Sequence, residues 1–107
     1  MPIRPNERKG LHVLRSVLEE SYNLVDFRIY GSKAMGTDAE DSDLDIMIIL
    51  EEGSPTIESQ IDDLIFDINL KYDCLITAIY FSRLELEDGP LSESPIYKKI
   101  LEEGIGL

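Results

Sequence analysis

The stretch from Tyr30 to Leu50 reads YGSKAMGTDAEDSDLDIMIIL, and the fold turns on it. One apolar run ends at Tyr30, glycine and serine follow, and Asp43-Leu44-Asp45 opens a second apolar run. Residues two apart on a strand share a face, so Asp43 and Asp45 point one way and Leu44 the other. Two rises put their Cβ atoms about 6.6 Å apart, near enough for the carboxylates to share ligands. Carboxylates entering a buried strand are costly unless something positive meets them. Left alone, two such charges repel and at least one pKa rises. Hard oxygen donors suit Mg²⁺ (or Mn²⁺), and two ions roughly 3.5–4 Å apart can hold the attacking and leaving oxygens of an in-line displacement.

Gly31 and Ser32 supply the complementary half. A glycine at a strand end lets the backbone approach a phosphate closely. Ser32 at the start of a short helix offers a hydroxyl and unpaired N–H groups where the helix dipole favours anions. Lys33 adds a point charge, and Ser42 either caps the loop or contacts a phosphate. Ten residues separate Ser32 from Asp43. An anion cradle beside a cation site is what a nucleoside triphosphate carrying Mg²⁺ requires. A calcium loop is the rival metal reading, since Asp41, Asp43, Asp45 and Glu52 fall at its positions 1, 3, 5 and 12. Its sixth position calls for glycine and holds Ile46, which starts a continuous apolar run, so this reading fails.

Working outward, Leu11, Leu14, Val17, Leu18 and Tyr22 recur at helical spacing, which predicts an amphipathic helix ending near Ser21, closed by Asn23. Leu24–Tyr30 alternates and is rich in β-formers, so it is predicted as a strand stopped by Gly31. Leu44–Leu50 is nearly all apolar, as in a strand covered on both faces. Ser54-Pro55 is a helix start, and Ile57, Ile61, Leu64, Ile65 and Ile68 stripe a helix to about Lys71. Cys74–Phe81 reads as a third strand, and Glu85–Glu93 as a solvated acidic loop. Ser94-Pro95 opens a last helix that Gly104 stops. The expected fold class is α/β (α+β): residues 1–107 as one domain, with a small mixed sheet of three to four strands packed with helices.

The composition bounds the function. The chain has 107 residues, 22 acidic against 10 basic, and a net charge of -12. That balance counts against nucleic acid or an anionic membrane as bulk partners and suits a metal site or a basic protein. Cys74 is the single cysteine, so no internal disulfide is expected and the thiol should be buried. Neither a leader-type apolar segment nor a membrane-length apolar run is visible, and a cytoplasmic location is expected. His12 is expected exposed on the first helix, and Phe27 and Tyr30 in the core.

Gly31-Ser32, ten residues, and then Asp43-Leu44-Asp45 resembles the signature of the DNA polymerase β-like nucleotidyltransferases. The whole pattern, closing in SPIYKKILEEGIGL, is similar to their minimal nucleotidyltransferase branch, often paired with a HEPN-domain protein as antitoxin and toxin. The resemblance implies a polymerase β-like palm fold, triphosphate binding by Gly31 and Ser32, and metals on Asp43 and Asp45. It implies transfer of AMP from ATP to a tyrosine hydroxyl of a HEPN toxin. Three features depart from the family. No acid lies on CLITAIYF, where Thr77 stands at the expected place of a third carboxylate. Asp73 precedes that strand, either reaching in or holding a turn. Lys33 and Met35 occupy the region where two arginines are usual, and lysine lacks the arginine fork. The alternative is therefore a catalytically weak nucleotide-binding module that neutralises its partner by complex formation. Self-association stays open.

Overall fold

Proline at the first helical position needs no N–H acceptor, and Pro5 begins α1 (Pro5–Ser21) accordingly. Glu7 Oε1 reaches back to accept the Arg4 N–H at 2.9 Å, so the helix starts well before its apolar stripe. The computed structural model describes residues 3–31 and 43–106. Its strands are β1 (Leu24–Tyr30), β2 (Leu44–Leu50), β3 (Ile76–Ser82) and β4 (Ile105–Gly106), with α2 (Pro55–Tyr72), α3 (Arg83–Asp88) and α4 (Pro95–Glu103) between them.

The sheet order is β3-β2-β1-β4. β1 runs antiparallel to β2 and β4, while β2 and β3 are parallel. Parallel neighbours need a crossover, and α2 provides it. Its start is the predicted one: Ser54 Oγ accepts the Ile57 N–H at 3.1 Å, and Pro55 follows.

Each face of β2 is covered. Leu44, Ile46, Ile48 and Leu50 pack with Phe27 and Ile29 of β1 against Leu11, Leu14 and Leu18 of α1 and Ile61, Ile65 and Ile68 of α2. Met47 and Ile49 face the other way, with Phe81 of β3 and Ile100 of α4. Every β2 position except Asp45 is buried, which accounts for the unbroken apolar run. Fully burying each such side chain contributes about 1.5–3 kcal/mol.

Two expectations are corrected. The acidic run Glu85–Glu93 is structured: α3 covers its first part and a 3₁₀ turn spans Pro90–Glu93. Ser82 Oγ accepts the Glu85 N–H at 3.1 Å and donates to Glu85 Oε1 at 2.9 Å, while Leu86 and Leu91 pack on the second core. β3 starts at Ile76, two residues later than expected, because Asn69 of α2 holds its first residue. Asn69 Oδ1 accepts the Ile76 N–H at 2.9 Å, and Nδ2 donates to the Ile76 carbonyl at 3.1 Å. The tail past α4 pairs with β1 as β4, which completes a sheet within the expected three to four strands. Gly104 permits that turn, since a Cβ there would lie 2.5 Å from the Ile100 carbonyl oxygen and 3.1 Å from that of Ile29.

Among the described residues no helix is long and apolar enough to cross a membrane. Cys74 is buried, as expected, and burial pushes its thiol pKa up. His12 is exposed on α1 and Phe27 is buried, both as expected.

Candidate functional site

Asp45 lies at the N-terminal end of β2, on the face it shares with Met47 and Ile49. Leu44 is buried in the first core, and its N–H is bonded to the Leu75 carbonyl at 2.8 Å. That bond pins the start of the strand beside the start of β3. Alternation then turns Asp45 to the opposite face, away from α1 and α2. Asp43 lies one residue before β2 and is exposed, whereas Asp45 is half-buried. The expectation of two buried carboxylates is thus corrected: the strand begins after Asp43, which keeps its water.

Asp45 is flanked across the sheet by Tyr30 on β1 and Thr77 on β3. The Thr77 hydroxyl donates to Asp45 Oδ1 at 2.7 Å. Hydrogen bonds to a charged acceptor are among the stronger ones, so this one holds the carboxylate in a single orientation. The other oxygen faces Gly31. That residue has φ +76°, and a Cβ added there would sit 2.7 Å from Asp45 Oδ2. Both the backbone angle and the approach of Asp45 therefore demand glycine. Burial, and then the charge of Asp45, raise the pKa of Tyr30, so its hydroxyl keeps its proton. Tyr30 is half-buried at the rim of this site, only partly in the core where it was expected.

Asp73 takes the turn, not the site. It is exposed, adopts φ 51° as the C-cap of α2, and its carbonyl accepts from Asn6 Nδ2 at 2.8 Å. Among the described residues no group of three or more His, Cys, Asp or Glu side chains comes together as a metal site. Ser32, Lys33, Ser42 and the short helix expected after Gly31 lie outside the described residues. In the sequence Thr77 marks only the place of a missing acid. Its pairing with Asp45 depends on strand register, which carries no local signal in the sequence.

Among the described residues, the donors at this end of the sheet are the carboxylates of Asp43 and Asp45 and the hydroxyls of Tyr30 and Thr77, with one Asp45 oxygen already hydrogen-bonded. Such hard oxygen ligands suit a magnesium-class ion. The glycine angle and close approach leave the backbone beside Asp45 free of side-chain bulk. Both features fit an anionic ligand that arrives with its cation.

Comparison with known proteins gives a consistent fold. The family model described as "Nucleotidyltransferase domain" matches residues 11–106. A solved structure described as "Structure of putative minimal nucleotidyltransferase" is 23% identical, with a TM-score of 0.63 over 94% of this chain and 91% of that one. A toxin–antitoxin structure with AMP-PNP is 15% identical, with a TM-score of 0.61 over 91% of this chain and 70% of that one. At these identities the likeness is one of fold. No curated protein matches.

Proposed function

Since the chain belongs to the nucleotidyltransferase domain family, we propose that it transfers AMP from ATP to a tyrosine hydroxyl of a HEPN-type toxin and so acts as its antitoxin. The observation that carries this reading is Asp45, oriented by Thr77 and pressed against Gly31 at the N-terminal end of β2, one residue past the exposed-and-then-buried pair Asp43-Leu44. A fold shared with a toxin–antitoxin structure containing AMP-PNP supports a nucleotide and a protein partner.

In this reading Asp43 and Asp45 hold Mg²⁺ or Mn²⁺, and Gly31, Ser32, Lys33 and Ser42 bind the triphosphate. The bound cation, when present, neutralises charge on the phosphates and on the leaving pyrophosphate. The chain's own part is positional. Thr77 keeps Asp45 Oδ1 turned inward, Gly31 keeps a side chain out of the phosphate path, and Tyr30 remains a neutral hydroxyl beside them. The phosphate bond to pyrophosphate breaks as the bond to the acceptor oxygen forms, and the acceptor's proton leaves to solvent or to a nearby base. The acceptor comes from the partner, and the working compartment is the cytoplasm.

ATP labelled at the α-phosphate, incubated with the chain and a candidate HEPN-domain partner, tests the proposal. Label should enter the HEPN protein and drop to background with Asp43→Asn, Asp45→Asn. Equal label in the variant overturns it.

One observation favours a second reading. Thr77 occupies the register position beside Asp45 where a third carboxylate would act as base. A module that binds nucleotide and silences its partner by contact alone needs no such base. It predicts that the double asparagine variant still suppresses toxicity.

A further inference from the structure

α2 has two apolar faces where its fold needs one. Ile61, Ile65 and Ile68 fill the first core. Phe66 and Leu70 point outward, 63% and 70% exposed, and belong to neither core. They lie four residues apart, so their side chains adjoin on the helix surface. Exposed aromatic and leucine side chains in contact mark an interaction surface more often than scattered single ones do.

The charges around this ridge select its occupant. Asp63 and Asp67 flank it and are exposed. Asp62 is engaged by the Tyr80 hydroxyl. A second copy packed face to face would set Asp63 and Asp67 against their own counterparts, in a chain that already carries 22 acids against 10 bases. Like charges brought together at an interface disfavour association. A cationic surface meets the same rim favourably, with Phe66 and Leu70 as the dry anchor.

The ridge also leads toward the sheet end that carries Asp45. Past the C-terminus of α2, Leu75 is 52% exposed, and its carbonyl holds the N–H of Leu44, the residue between Asp43 and Asp45. A partner seated on the helix and reaching Leu75 would extend to the start of β3, which adjoins the start of β2.

We propose that the Phe66–Leu70 ridge of α2 docks a cationic amphipathic helix of a partner protein. The docking does not depend on nucleotide transfer, so a chain without activity would use it equally.

A fluorescent synthetic helix with leucines on one face and lysine and arginine along its flanks serves as the probe, titrated with the full chain. Phe66→Ser, Leu70→Ser should weaken binding at least about tenfold. Glu102→Gln, Glu103→Gln on α4 removes as much charge as Asp63→Asn, Asp67→Asn does, yet should leave affinity within about twofold. The Asp63, Asp67 variant should weaken it by about three- to tenfold and flatten its salt dependence. Circular dichroism confirms that each variant is folded. Equal binding by the Phe66, Leu70 variant, or equal loss from the α4 control, would mean attraction by net charge alone and overturn the proposal. So would a dimer in sedimentation equilibrium that Phe66→Ser dissociates, since the occupant would then be a second copy.

Discussion

Gly31 is where backbone, sheet register and charge meet. Its φ of +76° suits glycine, and a Cβ would sit 2.7 Å from Asp45 Oδ2. Gly31→Ala should therefore cost about 1–3 kcal/mol, from strain and displacement of the carboxylate. Urea unfolding reads the stability, and calorimetry should show weaker manganese-dependent ATP uptake in the same variant. Thr77 is a gentler case because it is exposed. Thr77→Val removes the 2.7 Å bond to Asp45 Oδ1, and the stability change should stay within about 1.5 kcal/mol. Manganese affinity should move more than stability does, and Thr77→Ser should restore it. A valine variant with unaltered manganese affinity would show that the hydroxyl does not position Asp45. The glycine and the aspartates were legible as residue types. The bond from Thr77 was not, because its partner lies 32 positions away in sequence.

At the level of elements, local signals worked where chain chemistry acts locally. β1 and β2 fall on their predicted boundaries, since glycine or polar residues bracket each apolar run. Ser54-Pro55 and Ser94-Pro95 both open helices. The failures came where a distant group decided the boundary. Asn69, on α2, fixes the start of β3 with both its amide nitrogen and its carbonyl oxygen. Asn69→Ala leaves the Ile76 N–H and carbonyl without these partners at the edge of the sheet, and should destabilise the chain by about 1–3 kcal/mol. Hydrogen exchange should locate the loss at the α2–β3 junction, and uniform loss across the sheet would contradict this. The acidic run at Glu85–Glu93 looked solvated because its charges dominate the composition. Leu86 and Leu91, spaced among those charges, are what anchor it to the second core.

Across the whole molecule, tyrosine protons couple stability to pH. Burial first, then the hydrogen bond to Asp62 and the charges of Asp62 and Glu58, hold the Tyr80 hydroxyl pKa far above its ordinary 10.0. Tyr30 is raised as well. In the unfolded chain each tyrosine releases its proton near the ordinary value, so above pH 10 that state binds fewer protons than the folded one. Stability from both groups is full below pH 10 and falls as pH rises beyond it. Urea midpoints measured from pH 8 to 11 should decline at the top of that range, less steeply for Tyr80→Phe. An unchanged slope would remove Tyr80 from the account. The order of apolar runs, glycines and caps by itself determined the α/β class, three of the strands, the long crossover helix and the pairing of Gly31 with Asp45 as a candidate. These follow from short-range rules of period and backbone angle, which a linear pattern carries. Tertiary structure alone decided that Asp45 lies between Tyr30 and Thr77, that Asp73 holds a turn, and that Phe66 and Leu70 are left outside both cores. Those outcomes depend on register and on which helix face meets the sheet, and both are set by packing between segments far apart in the chain.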